Sequence, residues 1–100
     1  LVTPDEIQDP RNLTLELSVN GIRRQHGNTG DMVFGVAELI SRLSHIMTLE
    51  PGDIITTGTP AGVGMRMTPP IYLQPGDCMT LRISGLGEQR QTVVSAEEPA

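Results

Sequence analysis

The 100-residue chain contains no lysine and no tryptophan, and it has only one phenylalanine, one tyrosine and one cysteine. Without lysine, the chain cannot form a Schiff base through a side-chain amine. The single cysteine, Cys78, excludes an internal disulfide and favours a reducing, cytoplasmic setting. With so few aromatic residues, any core depends on Leu, Ile, Val and Met, and a chain of this length builds a thin core.

Positive charge and long apolar runs are also scarce. The formal net charge is −5, and all seven basic residues are arginines. This balance argues against a nucleic-acid-binding role, which depends on basic patches. No apolar stretch has the length of a membrane span, and the residues after Leu1 show no signal-peptide pattern. Eleven glycines and eight prolines instead indicate a loop-rich β protein or a piece of a larger one.

A β-hairpin is predicted in the first quarter of the chain. Apolar and polar residues alternate over residues 13–19, LTLELSV, which is the period of a strand with one buried face. Asn20-Gly21 follows, and both residues tolerate the positive φ angles of a type I′ turn. Residues 22–25 are therefore expected to return as the second strand.

One helix is predicted beyond this hairpin. Residues 26–31, HGNTGD, have the composition of a loop. Apolar residues then recur at helical spacing, which predicts a helix over about residues 35–48. Pro51-Gly52 prevents any continuation of this helix.

Two similar turns punctuate the second half of the chain. Residues 49–53 and 73–77 share a Leu-x-Pro-Gly-Asp pattern, which is typical of type II turns. A shared turn solution leading into a strand is favoured over an internal repeat. Further strands are predicted at residues 54–55, 78–83 and 89–96. The predicted fold is mainly β with one helix, an α+β chain of about five mostly antiparallel strands.

A glycine loop at residues 56–64, TTGTPAGVG, is the main candidate for a binding site. Its glycines let the backbone approach a ligand closely, and its threonines offer hydroxyl groups. Together with backbone N–H donors, these groups suit a carboxylate or a keto oxygen. From the residues alone, a wide structural turn is the favoured interpretation. The loop lacks the Gly-Lys-Ser/Thr of a Walker loop, and no helical pattern follows it as in a dinucleotide site.

The order of several motifs points to a family. Residues 52–64, GDIITTGTPAGVG, follow a G-D-x-I-x-T-G-T-P-x-G-V-G pattern. They are preceded by LTLELSVNG at 13–21, RRQHGNTGDMVF at 23–34 and a helical segment at 38–53, and they are followed by PPIYLQPGD at 69–77. In this order the motifs resemble the fumarylacetoacetate hydrolase family, in particular its ureidoglycolate lyase and diketo-deoxy-sugar-acid hydrolase members.

The resemblance extends over nearly the whole chain and implies both a fold and a domain assignment. Residues 1–100 are expected to form the C-terminal portion of a catalytic domain of this family. The implied fold is part of the mixed β-sandwich roll of that domain.

The resemblance also implies a substrate-binding role for the glycine loop. In the family, the second threonine of T-G-T-P lines the pocket and binds the acid or keto end of the substrate. This role falls on Thr59, with Gly58 and Pro60 shaping the loop. Thr56 and Thr57 are expected to belong to the end of the preceding strand.

The family's metal and catalytic groups have no counterparts in this chain. Members hold Mg²⁺ or Mn²⁺ with a Glu-x-Glu pair and a separate Asp, and they activate water with a His-Glu pair. The sequence contains no Glu-x-Glu, and the family places these groups upstream of the matched region. The metal ligands and catalytic residues are therefore expected outside the chain, which is expected to be inactive alone.

For the full-length protein, the resemblance implies a metal-dependent hydrolase that cleaves a C–C bond in 2,4-diketo acids or acylpyruvates. Isomerases, decarboxylases and ureidoglycolate lyases share the scaffold, so these activities stay open as alternatives. A non-catalytic β domain that binds an acidic ligand is the alternative from another class. The expected ligand is a small 2-keto or 2,4-diketo acid, and the expected assembly is a cytoplasmic, catabolic homodimer.

Four other reactive or charged side chains have structural explanations. His26 is a conceivable base in a loop, but a surface histidine is the favoured interpretation. His45 lies on the polar side of the predicted helix. Cys78 begins a strand with no histidine nearby to activate it. Arg66 follows the glycine loop and could reach a carboxylate, although a solvated arginine is favoured.

Overall fold

The computed structural model describes residues 1–97, which form a four-stranded antiparallel sheet and one α-helix. The elements are β1 (Thr14–Val19), β2 (Ile22–Asn28), α1 (Val36–Ser44), β3 (Cys78–Ile83) and β4 (Gly87–Thr92). Short 3₁₀ turns lie at Pro4–Glu6, Thr29–Asp31 and Gly64–Arg66. The strand order is β2-β1-β3-β4, so β2 and β4 are the edge strands. The predicted α+β class is confirmed.

The predicted hairpin is confirmed at its turn and is longer than expected. Asn20 and Gly21 have φ angles of 51° and 78°, the positive values that a type I′ turn requires. β2 continues to Asn28 and pairs with the whole of β1, so the prediction of a loop beginning at His26 was wrong. Backbone pairing with β1 keeps these loop-forming residues extended.

Helix α1 is shorter than predicted, because it ends at Ser44 rather than near residue 48. Its last turn is tight: the N–H groups of His45 and Ile46 donate to carbonyls three residues earlier, at 3.3 and 2.9 Å. The Ser44 hydroxyl donates to the Ser41 carbonyl at 2.7 Å. Serine side chains that bond to helix carbonyls compete with the helical ladder, which accounts for the early end.

Two strand predictions needed correction. Residues 54–55 form no strand, because no strand among residues 1–97 pairs with them, and Ile54 is 89% exposed. The last strand begins and ends earlier than the predicted 89–96. Its limits are set by pairing with β3, from Ile83 opposite Gly87 to Cys78 opposite Thr92.

The two Pro-Gly turns have the same geometry, as predicted. The N–H of Asp53 donates to the Glu50 carbonyl at 3.1 Å, and the N–H of Asp77 donates to the Gln74 carbonyl at 3.0 Å. Each aspartate carboxylate in return accepts the backbone N–H three residues earlier, at 2.8 Å in both turns. The glycine of each turn has positive φ, as a type II turn requires.

Only the second turn is tied to the hairpin. Asn20 Nδ2 donates to Asp77 Oδ1 at 2.8 Å, and Asn20 Oδ1 accepts the N–H of Cys78 at 2.9 Å. The Gln74 N–H, the Asn20 side chain and the nearby Arg24 lower the pKa of Asp77 below its ordinary value of 3.8. The Asp77 carboxylate therefore links the start of β3 to the turn between β1 and β2.

Replacing Asp77 with asparagine is expected to lower the thermal unfolding midpoint of the full-length protein at neutral pH. Because its pKa is lower in the folded state, the carboxylate stabilises the fold above the unfolded pKa, and this contribution is lost as pH falls through the folded value. The difference between the wild type and Asp77→Asn should therefore begin to shrink near the ordinary pKa of 3.8 and vanish only below the lowered pKa of the folded state. Asp53→Asn is the matched control, since that turn has no Asn20 partner. Equal losses in the two variants would contradict the link to the hairpin.

One face of the sheet is apolar. Side chains of directly paired residues share a face, and three such pairs across β1 and β3 define it: Leu15–Ile83, Leu17–Leu81 and Val19–Met79. No residue among the 97 described is fully buried, so this face is only half covered. The glycine loop and the cavities described below lie on this face.

Candidate functional site

The glycine loop, residues 56–64, lies along the edge strand β2. Gly27 of β2 faces Pro60, and a Cβ atom placed on Gly27 would come within 2.8 Å of Pro60 Cβ. Gly62 has a φ angle of 110°, and a Cβ atom there would overlap the Arg24 carbonyl. Glycine at these two positions lets the loop and the strand backbone approach closely.

Gln25 of β2 fastens the loop to the sheet. Its Nε2 donates to Thr59 Oγ1 at 2.7 Å and to the Pro60 carbonyl oxygen at 2.8 Å. Gln25 pairs with Leu17 of β1, so its side chain lies on the apolar face of the sheet. Two hydrogen bonds from one half-buried side chain thus hold the centre of the loop.

A cavity of about 580 Å³ opens beside this contact. Gly58, Thr59 and Pro60 all line it, so the structure brings the three residues predicted to bind substrate to one wall. Thr57 lines the cavity too. Because residues 54–57 form no strand, the expectation that Thr56 and Thr57 belong to a strand end was wrong.

The other residues that line this cavity were not predicted. They come from β1, from β2 and the segment after it, and from α1, and they include Leu15, Phe34 and Leu39. Polar groups are added by Asn28, Thr29 and Asp31. The segment at residues 23–34 supplies most of this lining. It also carried part of the family resemblance, which was the available sequence signal for these residues.

Gln25 also lines a second cavity, of about 430 Å³. Other residues that line it are Leu17, Val19, Arg24 and Tyr72. Gln25 lines this second cavity, while the two groups it bonds line the first. The hydrogen bonds of Gln25 therefore connect the linings of the two cavities.

Neither histidine contributes a side chain to the Thr59 wall. His26 borders the first cavity, but it pairs with Glu16, so its side chain lies on the polar face of the sheet. Nδ1 of His45 is 2.7 Å from the Ser41 carbonyl oxygen at the end of α1. Neither ring hydrogen-bonds to Thr59.

Cys78 and Arg66 also lie outside the first cavity. The Arg90 guanidinium donates to Cys78 Sγ at 3.1 Å on the polar face, and this contact raises the pKa of Arg90. Arg66 ends an exposed 3₁₀ turn and is not among the residues that line either cavity. These two residues are therefore not part of the candidate site.

The described residues do not form a metal site by themselves. Nowhere in residues 1–97 do three His, Cys, Asp or Glu side chains converge so that they could hold a metal ion. In the same residues, no helix has both the length and the apolar character needed to cross a bilayer.

Comparison with known proteins identifies the family of this chain. A sequence profile for the C-terminal region of fumarylacetoacetate hydrolase matches residues 1–94. The chain belongs to the fumarylacetoacetate hydrolase family.

Similar proteins extend well beyond the matched region. A Burkholderia multivorans protein, named only as a hydrolase, is 58% identical over 97 residues, which are 96% of this chain and 34% of that protein. Fumarylacetoacetate hydrolase from the psychrophile Exiguobacterium antarcticum is 46% identical with a TM-score of 0.89, and the match covers 94% of this chain and 34% of that one. Maleylpyruvate hydrolase from Sphingobium sp. SYK-6, in complex with manganese(II) and pyruvate, is 41% identical with a TM-score of 0.82, over 94% and 33%. The chain thus spans about a third of the length of these relatives.

Proposed function

We propose that residues 1–100 are the C-terminal portion of the catalytic domain of a hydrolase that cleaves a C–C bond in acylpyruvates or related 2,4-diketo acids. Membership of the family and the similarity to a maleylpyruvate hydrolase support this reaction. The observation that carries the proposal is the Thr59 hydroxyl, which Gln25 fixes at the wall of a cavity large enough for a small acid.

On this proposal, Thr59 binds the acid or keto end of the substrate. It follows Gly58, whose φ angle of 88° and open surroundings leave room for a ligand oxygen beside the hydroxyl. Leu15, Phe34 and Leu39 line the same cavity and offer apolar contact. A lining that combines hydroxyl groups with apolar side chains suits a molecule with an acidic head and a carbon chain.

The metal and the acid–base chemistry are assigned to parts of the protein outside this chain. The described residues bring no metal-binding cluster together, while a solved relative contains manganese(II) and pyruvate. The proposal is that the full-length protein uses Mg²⁺ or Mn²⁺ and that the isolated chain has no turnover. Following the family resemblance, the full-length protein is proposed to be a cytoplasmic homodimer that acts in catabolism.

The proposal is tested by Thr59→Val in the full-length protein, assayed with an acylpyruvate such as maleylpyruvate. A hydrogen bond to a charged group contributes about 1.5–3 kcal/mol, so the loss should raise KM by roughly 10- to 150-fold. The kcat value should change little, because this contact is proposed to bind the substrate before and during the reaction.

Thr59→Ser is the matched control for this experiment. Serine keeps the hydroxyl and loses only a methyl group, so its KM should stay within about threefold of the wild type. An unchanged kcat/KM in Thr59→Val would remove Thr59 from the substrate site and overturn the proposal.

A further inference from the structure

We infer that Gln25 is a positioning residue for substrate binding, because its side-chain amide turns the Thr59 hydroxyl into a donor directed away from β2. This inference rests on the proposed function, in which Thr59 binds an acid or keto oxygen. Gln25 itself is not proposed to touch the substrate. Its effect passes through Thr59.

The orientation of the Gln25 amide follows from its two partners. Nε2 lies 2.7 Å from Thr59 Oγ1 and 2.8 Å from the Pro60 carbonyl oxygen. A carbonyl oxygen only accepts hydrogen bonds, so the NH₂ group, not the amide oxygen, must face Pro60. The second hydrogen of the same NH₂ group is then available for Thr59 Oγ1.

This arrangement decides what the Thr59 hydroxyl can do. A hydroxyl group has one hydrogen to donate and lone pairs that accept. With Gln25 donating to Oγ1, the hydroxyl hydrogen has to point elsewhere, and Thr59 lies at the cavity wall. A carboxylate or keto oxygen only accepts, so it is complementary to a hydroxyl held in this way.

A bulge in β2 places Gln25 on the correct face. Leu17 pairs with Gln25 and Ser18 pairs with Arg23, so Arg24 is the extra residue on the β2 side. With regular alternation, residue 25 would share the face of residue 23, which is the polar face. The extra residue instead brings the Gln25 side chain to the apolar face and the loop, as bulges re-aim side chains at functional sites.

The test is a double-mutant cycle in the full-length protein, with KM for an acylpyruvate as the readout. The variants are Gln25→Leu, Thr59→Val and the two combined. Loss of one orienting hydrogen bond in Gln25→Leu should raise KM by about 3- to 10-fold, with kcat within about twofold of the wild type. In the Thr59→Val background, Gln25→Leu should add no further increase, because the hydroxyl it orients is already absent.

Gln25→Glu is the second variant and tests the direction of the hydrogen bond. A carboxylate at this position accepts from the Thr59 hydroxyl and faces the Pro60 carbonyl with no donor. KM should therefore rise more than in Gln25→Leu. Thermal unfolding midpoints of all variants show whether each remains folded. If Gln25→Leu does not fold, Gln25→Glu still tests the positioning role.

The outcomes separate this inference from the proposed function. If Thr59→Val raises KM and Gln25→Leu does not, the positioning role is overturned while the substrate role of Thr59 stands. Additive effects in the double variant would show that Gln25 supports the loop in general, which also overturns the positioning role. If Thr59→Val leaves KM unchanged, the proposed function fails and this inference fails with it.

Discussion

Replacing Gly62 with alanine is expected to displace the glycine loop from β2 and to lower kcat/KM of the full-length protein by roughly 100-fold. Two destabilising effects, backbone strain and steric overlap, combine at residue 62. Gly62 has a φ angle of 110°, which strains any residue with a side chain, and its Cβ would overlap the Arg24 carbonyl. The overlapped atom is backbone, so no rotamer change relieves the contact. A misplacement of about 1 Å in a substrate-positioning group is enough for a 100-fold loss.

Two other glycines serve as controls that separate the backbone strain from the steric overlap. Gly76 has a φ angle of 95° and open space where a Cβ would lie, so Gly76→Ala carries only the backbone strain of about 1–2 kcal/mol. Gly64 lacks a positive φ, but its Cβ would overlap the Ile71 carbonyl, so Gly64→Ala carries only the overlap. Urea unfolding of the full-length variants should rank Gly62→Ala as the most destabilising, with a loss of at least about 3 kcal/mol. A loss in Gly62→Ala no greater than in Gly76→Ala would show that the loop is not fixed against Arg24.

Removing divalent metal from the full-length protein is expected to abolish turnover, and this is the largest effect predicted. The expectation comes from the proposed metal dependence and from the solved relative that contains manganese(II) and pyruvate. Dialysis against EDTA followed by an acylpyruvate assay measures it, and Mg²⁺ or Mn²⁺ should restore the rate. Full turnover after complete metal removal would contradict the proposed metal dependence.

A separate measurement of Mn²⁺ binding tests where the metal ligands lie. The proposal places the metal ligands outside residues 1–100, so on this proposal the glycine loop should not contribute to metal affinity. Thr59→Val and wild-type full-length protein should therefore bind Mn²⁺ equally, as measured by the electron paramagnetic resonance signal of free Mn²⁺. A weaker Mn²⁺ affinity in Thr59→Val would place the loop in the metal site and contradict the separation of the two roles.

The parts of the fold that were predictable are those fixed by local chemistry. Asn20-Gly21 specifies a type I′ turn, and the adjacent strands form as a hairpin. The two Pro-Gly-Asp turns close with the same hydrogen bonds. The strand predicted at residues 54–55 failed because a strand exists only with a neighbour, and an apolar dipeptide does not reveal whether one is present.

The residues of the candidate site could be predicted only in part from the sequence. Thr59, Gly58 and Pro60 came from the family resemblance, whereas the composition of the loop by itself favoured a wide structural turn. Gln25 could not be found, because its bond to Thr59 spans 34 residues and depends on the extra residue at Arg24. The alternation of apolar and polar residues along a strand does not show which face of the sheet a side chain occupies after a bulge.

A crystal structure of the full-length protein with Mn²⁺ and pyruvate tests most directly whether this cavity binds the substrate's acid or keto end. We expect pyruvate in the cavity beside residues 57–61, with Thr59 Oγ1 within about 3 Å of a carboxylate or keto oxygen. We also expect Gln25 Nε2 to remain bonded to Thr59 Oγ1, at the 2.7 Å seen here. Pyruvate bound elsewhere, with the Thr59 hydroxyl making no contact with it, would contradict the proposed role of the glycine loop.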